Sequence, residues 1–214
     1  TEYTFSLRQG VKFHDGSDFN ADAVKFNFDR MLDEAHPYHN TGPFPLSFFF
    51  SAIVSVDVLD PMTVKFTLNA PYAPFLSNLA YPTGLIVSPD AVAKHGTDFG
   101  RNPSGTGAFK FGEWRSNEAV VVEANSSHWE GAPKLQAVVF RPITDANTRT
   151  AEMLAGGIDM MVEVPPVALS KFQGDGYTVH EQAGPHVWFL ILNAKEGPFS
   201  DVRVRQAANY AINK

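Results

Sequence analysis

Cysteine is absent from the 214 residues. Its absence excludes a disulfide framework, a thiolate metal centre and a cysteine nucleophile, and suits an oxidising envelope compartment without requiring one. Cations are in the minority: 17 Lys and Arg stand against 23 Asp and Glu, a formal net charge of −6. A phosphate-binding surface needs clustered Lys and Arg. The most evident cluster, Arg203 and Arg205, flanks a helical stripe and reads as a solvated face, so nucleic acid is not expected as a partner. No apolar run approaches the roughly 20 residues of a membrane helix, and no basic stretch followed by an apolar one opens the chain, so no signal segment is read in it. The seven His are scattered, with no His-x-x-x-His pair to preform a zinc site. No Gly-x-Ser-x-Gly elbow occurs. Gly105-Thr106-Gly107 has Lys110 where a dinucleotide fingerprint needs its third glycine. Asp15, Asp18 and Asp22 lack the spacing and the bidentate glutamate of a calcium loop. Neither cofactor nor metal is expected, and no acid–base pair or nucleophile motif supports an enzyme.

What is present is a globular composition, 44% hydrophobic and 19% charged, with patterns of both periods. Tyr3, Phe5 and Leu7 alternate with polar residues, as a strand does. Asn20 can cap a helix with the apolar stripe Ala21, Val24, Phe28, Met31 and Leu32, and Lys25 and Asp29 stand four apart on its outer face. Residues 36–50 read as a loop rich in aromatics. Val54, Val56 and Val58, then Met62, Val64, Phe66 and Leu68, form a hairpin turned at Asp60-Pro61. A short helix is expected within 72–80, a short strand over 85–87, and a helix capped by Ser88 with Pro89 at its first position. After the glycine-rich stretch 96–107, Phe109 and Phe111 open a second hairpin that returns through Val120 and Val122. Residues 135–140 read as a buried strand. Thr144 is placed as the cap of a helix that stops at Gly156-Gly157, and 177–179 and 187–192 as strands. Ser200 is placed as the cap of a last helix with the stripe Val204, Ala208, Ala211 and Ile212. Strands and helices mix throughout, so the class is mixed α/β.

Thr4-Phe5-Ser6-Leu7-Arg8-Gln9-Gly10-Val11-Lys12-Phe13-His14-Asp15-Gly16-Ser17, followed by Asn20-Ala21-Asp22-Ala23-Val24, resembles the opening motif of the family 5 solute-binding proteins, the dipeptide, oligopeptide and nickel receptors of bacterial ABC importers. Further segments in family order strengthen the likeness: Ala70-Pro71-Tyr72-Ala73-Pro74-Phe75-Leu76, Pro103-Ser104-Gly105-Thr106-Gly107-Ala108-Phe109, Ile143-Thr144-Asp145-Ala146-Asn147-Thr148-Arg149 and Asp201-Val202-Arg203-Val204-Arg205-Gln206-Ala207. Ala108 stands where the family has Pro, and His128 where it has Tyr. The resemblance implies a type II periplasmic-binding-protein-like fold seen in part. Residues 1–133 would be most of the small β-rich second domain, and 134–214 part of the first lobe, cut in its last helix. The other lobe would be missing.

The resemblance also implies a non-enzymatic receptor, periplasmic or anchored outside the cytoplasmic membrane, that captures a short peptide and delivers it to an ABC permease. A nickel chelate, an oligosaccharide or an opine is the alternative ligand, and a sensor module fused to a DNA-binding domain the alternative role. Family aromatics near Trp188 and Phe189 line the ligand cleft. On a strand ending at Asn193 these two would point to opposite sides, with Trp188 favoured for the cleft because its indole N–H needs a partner. Tyr38 and His39, with Phe48 to Phe50, form a second aromatic patch for which packing is the favoured reading; the equivalent region of nickel receptors approaches the chelate. Tyr81, before Pro82, is a third candidate.

Overall fold

The computed structural model describes residues 1–174, 176–184 and 189–212. They form two compact units, Thr1–Thr144 and Asp145–Lys214.

The first unit is organised by helix α1 (Ala21–Leu32). Its start is set locally: the Asn20 side chain accepts a hydrogen bond from the Ala23 N–H at 2.9 Å, which satisfies one of the orphan donors of the first turn. Asp22 in the first turn and Arg30 in the last oppose the helix dipole, and Lys25 pairs with Asp29 at 2.8 Å. The expected stripe is the buried one, with Ala21, Val24, Phe28 and Met31 all in the core.

That stripe lies on a three-stranded antiparallel sheet of order β1-β3-β2, built from β1 (Glu2–Ser6), β2 (Ile53–Asp60) and β3 (Thr63–Leu68). Central strand β3 buries Val64, Phe66 and Leu68, the period-2 pattern of a sheet with one face on the core. The Phe28 ring meets Phe50 at 5.2 Å and Phe66 at 4.9 Å, both edge-on, the geometry favoured by the ring quadrupoles. The Asp60-Pro61 turn forms as expected, with the Asp60 carboxylate accepting from the Met62 N–H at 2.8 Å. One part of the hairpin reading fails. Register shifts at 53–55 and 58–60 mark bulges, and an extra residue at a bulge changes the phase of the pleat. Val54 therefore stands 65% exposed, while Ile53 packs on the core in its place.

Helix α2 (Phe75–Leu79) follows. No strand forms over 85–87. Instead the Asn27 side chain of α1 donates to the Val87 carbonyl at 2.8 Å and accepts from the Val87 N–H at 3.2 Å. One amide thus performs both bonds that a neighbouring strand would supply. Helix α3 (Pro89–His95) starts as expected: Ser88 accepts from the Ala91 N–H, and Pro89 takes the first position.

Strands β4 (Phe109–Arg115), β5 (Ala119–Ala124) and β6 (Ala137–Phe140) form a second antiparallel sheet in that order. A bulge between Phe111 and Glu113 falls at Gly112, where an added Cβ would lie 3.2 Å from the Val121 carbonyl. Strand β6 hydrogen bonds to β5, and the division between the compact units falls after Thr144. The reading of 135–140 as buried is corrected: β6 is an edge strand, and Val139 and Phe140 are exposed.

The opening motif ties three distant segments together. Asp15 accepts from the Ser17 N–H at 3.0 Å and from the Ser17 hydroxyl at 2.6 Å. It also accepts from the hydroxyl of Ser88, the α3 cap, while its own N–H donates to Ser104 Oγ at 3.2 Å. The His14 N–H donates to Gly105 O at 2.8 Å. His14 Nδ1 accepts from the Gly105 N–H and Nε2 reaches Gly107 O, which together put the ring proton on Nε2.

In the second unit, α4 (Ala146–Leu154) and α5 (Val202–Tyr210) are capped one residue later than expected. Asp145, not Thr144, accepts from the Thr148 N–H at 2.7 Å. Asp201, not Ser200, accepts from the Arg203 N–H at 2.9 Å, and Ser200 closes a 3-10 turn. The α5 stripe is not buried. No strand forms at 177–179 or among the described residues 189–192. Alternating side chains do not make a strand without a hydrogen-bonded neighbour, and none pairs with these segments among the described residues.

Two outcomes are expected from this packing. Phe28→Ala leaves a void between Phe50 and Phe66 and should cost about 3–5 kcal/mol in urea unfolding. Desolvation is the largest single influence on Asp15 and raises its carboxyl. The hydrogen bonds from Ser17, Ser88 and Ser104 together outweigh it and hold the carboxyl below its ordinary value. A depressed folded pKa contributes stability that is complete above the unfolded value near ~3.9 and is lost as pH falls through the folded one. Melting curves of Asp15→Asn should therefore lie below wild type at pH 7 and converge with it toward pH 2.

Candidate functional site

The aromatic segment 36–50 is folded into two 3-10 turns, His39–Thr41 and Ser47–Phe50. Its side chains divide by depth: Phe50 is fully buried, Phe49 packs against the core, and Phe48 is 60% exposed. Tyr81, 48% exposed, extends the row. Its ring centre lies 5.3 Å from that of Phe49, which lies 4.7 Å from that of Phe48. Asn78 fastens this edge by donating to the Phe49 carbonyl at 2.9 Å and to the Tyr72 hydroxyl at 3.3 Å. Phe48, Phe49 and Tyr81 are thus one continuous aromatic edge, with Phe49 and Tyr81 32 residues apart in sequence and α2 packed against the 3-10 turns on both sides.

Tyr38 and His39 sit elsewhere, both half-buried. Tyr38 packs at 5.7 Å from Phe26, beside the small cluster of Ala91, Val92 and Phe99. His39 Nδ1 is 2.9 Å from the Arg30 carbonyl, and its ring is 5.6 Å from Phe44. They border a group that the sequence reading did not single out, Arg30. This side chain is 6% exposed. Its guanidinium lies 5.1 Å from the Phe44 ring centre, 5.8 Å from Phe99 and 6.0 Å from Phe26. Nη1 donates to Thr41 Oγ1 at 3.0 Å, and that hydroxyl donates onward to the Tyr38 carbonyl at 2.6 Å. Burial pushes the guanidinium below its ordinary value, although an arginine stays protonated. A signal was available: Phe26 and Arg30 are four apart on α1, which puts a ring and a cation on one face.

A cavity of about 20 Å³ lies where the two loops meet over α1. Asn27, Arg30 and Met31 line it from the helix, Phe44 from one loop, and Thr83 to Ile86 from the other. Gly84 permits the close approach, since a Cβ there would stand 2.6 Å from the Leu79 carbonyl oxygen.

A second and larger hollow of about 500 Å³ is lined by His14, Asp15, Asp90, Lys94, His95 and Lys110, among others. It does not present a nucleophile and base. Ser17 spends its proton on Asp15, Ser104 accepts from the Asp15 N–H, and His14 spends its ring on the backbone at 105 and 107, so neither serine is paired with His14 there. Among the described residues no group of three His, Asp or Glu could hold a metal ion, and no helix is long and apolar enough to cross a membrane.

Of the remaining candidates, Phe189 is 74% exposed, and Asn193 accepts from the Lys195 N–H at 3.1 Å; both belong to the second unit. Trp188 lies outside the described residues.

Residues 1–214 match the family model described as bacterial extracellular solute-binding proteins, family 5 middle. The glutathione-binding protein GsiB of Salmonella paratyphi A is 37% identical over 99% of this chain and 41% of its own length. Among solved structures, a dipeptide-binding protein from Pseudoalteromonas sp. SM9913 in complex with Met-Leu superposes with a TM-score of 0.86 at 27% identity, over 99% of this chain and 45% of that one. The periplasmic binding protein DppA from Helicobacter pylori, in complex with the peptide STSA, does so with a TM-score of 0.71 at 32% identity, over 80% of this chain and 37% of that one. The chain thus spans about two fifths of the length of the curated relatives it matches.

Gly84→Ala should force the 82–86 loop away from α2 and cost about 1–3 kcal/mol. Urea unfolding measures the loss, and chymotryptic cleavage after Leu85 should become faster than in wild type.

Proposed function

This chain belongs to the family 5 bacterial extracellular solute-binding proteins, and on that premise we propose that it is part of a receptor that captures short peptides outside the cytoplasmic membrane and delivers them to an ABC permease. The observation that carries the reading is the match of the whole chain to that family. Support for peptides as the solute comes from the relatives, named for binding glutathione or dipeptides, or solved with a short peptide.

In this reading the aromatic edge of Phe48, Phe49 and Tyr81 is one apolar wall of the ligand cleft, while Tyr38 and His39 are proposed as contacts apart from it. Such a wall suits a peptide, because rings contribute contact area at little entropic cost while the ends of the ligand are fixed by a few polar groups. Trp188, Phe189 and Asn193 are kept as proposed ligand contacts in their own right. We further propose that residues 1–133 belong to the small β-rich lobe and 134–214 to part of the first lobe, with the β5–β6 pairing crossing that boundary. Ligand binding then draws two lobes together about a hinge, shifting the open–closed balance by its differential affinity for the closed form.

A receptor of this kind encloses its ligand from two sides, so one wall alone should bind weakly, with a dissociation constant on the order of 1 mM. Nitrogen–proton correlation spectra of the chain, titrated with Met-Leu and with glutathione, test this. Shifts should centre on 48–49 and 81 and weaken about 3–10-fold in Tyr81→Ala. An equal response to glucose, or shifts that avoid the aromatic edge, would refute the peptide wall.

A further inference from the structure

The two segments that build the aromatic edge carry no charge. Residues 40–56, which hold Phe48 and Phe49, and residues 66–89, which hold Tyr81, contain no Lys, Arg, His, Asp or Glu, in a chain that is 19% charged. Such stretches are ordinary in a core. Here they reach the surface: Phe48 and Tyr81 are exposed, and so are Leu76 and Leu85 on the second segment. A patch of exposed apolar side chains marks a binding surface.

Polar atoms at the edge are spent within it. The Phe48 carbonyl accepts from the Ser51 hydroxyl at 2.9 Å, and the Phe49 carbonyl accepts from the Asn78 side chain. The Tyr81 hydroxyl is the one polar group among the three ring side chains. An ionised group laid on these rings would give up water and find no counter-charge in either segment, which is costly. An apolar side chain would bury area there without that loss. A surface selects by what it leaves unpaired as well as by what it attracts.

We propose that Phe48, Phe49 and Tyr81 are the specificity-determining residues of the receptor, that they take an uncharged apolar side chain of the ligand, aromatic, Leu or Met, and that the substrates are therefore hydrophobic peptides whose ionised ends lie off the edge. This selection rests on the peptide reading above and narrows it. Glutathione, with two carboxylates, one ammonium and no apolar side chain larger than a thiol, is a poor ligand on these grounds, although a relative is named for binding it.

The test is a set of nitrogen–proton titrations of the chain at about 0.15 M salt, which screens the pull or push of its net charge on charged probes. The probes are Met-Leu, Leu-Phe, Asn-Gln, Asp-Glu, Lys-Lys, glutathione and, as an apolar molecule without peptide groups, benzyl alcohol. Met-Leu and Leu-Phe should shift 48–49 and 81 at concentrations about tenfold lower than the polar and charged peptides. Phe48→Lys, at an exposed position, should weaken Leu-Phe about 3–10-fold and improve Asp-Glu. Phe48→Leu should keep the wild-type order. Asn-Gln or glutathione held at the edge as tightly as Met-Leu, or an order left unchanged by Phe48→Lys, would overturn the selection and leave the peptide reading standing. Shifts at the edge with benzyl alcohol but with no dipeptide sink the peptide reading and leave an apolar site. Absence of shifts at the edge with every probe sinks both.

Discussion

Burial of α1 on two sides is the constraint on which the first unit depends. One side carries Val24, Phe28 and Met31 onto the sheet, where Phe28 stands edge-on to Phe50 and Phe66. The other side carries Phe26, Asn27 and Arg30 toward α3 and the loops at 38–50 and 81–87. A helix exposed on that second side could leave its polar residues to water. Here they must be satisfied by protein. Asn27 succeeds, because its amide matches the backbone of Val87 and Ala23. Arg30 succeeds in part, through Thr41 and three aromatic rings.

The motif that marks the family does a different job. His14, Asp15 and Ser17 look like the start of a catalytic constellation, and their geometry shows an architectural one. The Asp15 carboxylate gathers Ser17 and the cap of α3, its N–H reaches the 102–107 loop, and the His14 ring is spent on backbone atoms of that loop. These bonds fix the glycine-rich segment that leads into β4. Polar residues used in this way must be both specific and close together, which is why such a motif is recognisable in a sequence without being a site of chemistry.

Elements whose causes are local were legible in the sequence. Asn20 and Ser88 cap α1 and α3 because cap and first-turn donor are neighbours in the chain. Asp60-Pro61 turns the hairpin for the same reason. The misplaced caps at Thr144 and Ser200 were adjacent-residue errors, since an aspartate next in line was the better acceptor. Failures of another kind came where the cause is distant. The bulge that turns Val54 outward depends on registry with β3. The strand expected at 85–87 is replaced by a side chain 60 residues away. Exposure of Phe140 depends on β6 being an edge.

By itself the sequence determined the mixed class, the helix stripes, the turn chemistry and, through ordered motifs, the family. It singled out Tyr38, His39 and Tyr81 because clustered aromatic residues outside the regular elements are conspicuous in one dimension. Only the tertiary structure decided that Tyr81 joins Phe48 and Phe49 in one exposed edge while Tyr38 and His39 turn inward toward Arg30. The physical reason is that a side chain's surroundings are set by segments far off in the chain. Whether a ring is wall or core, and whether a cation has a partner, follows from which loops close over it.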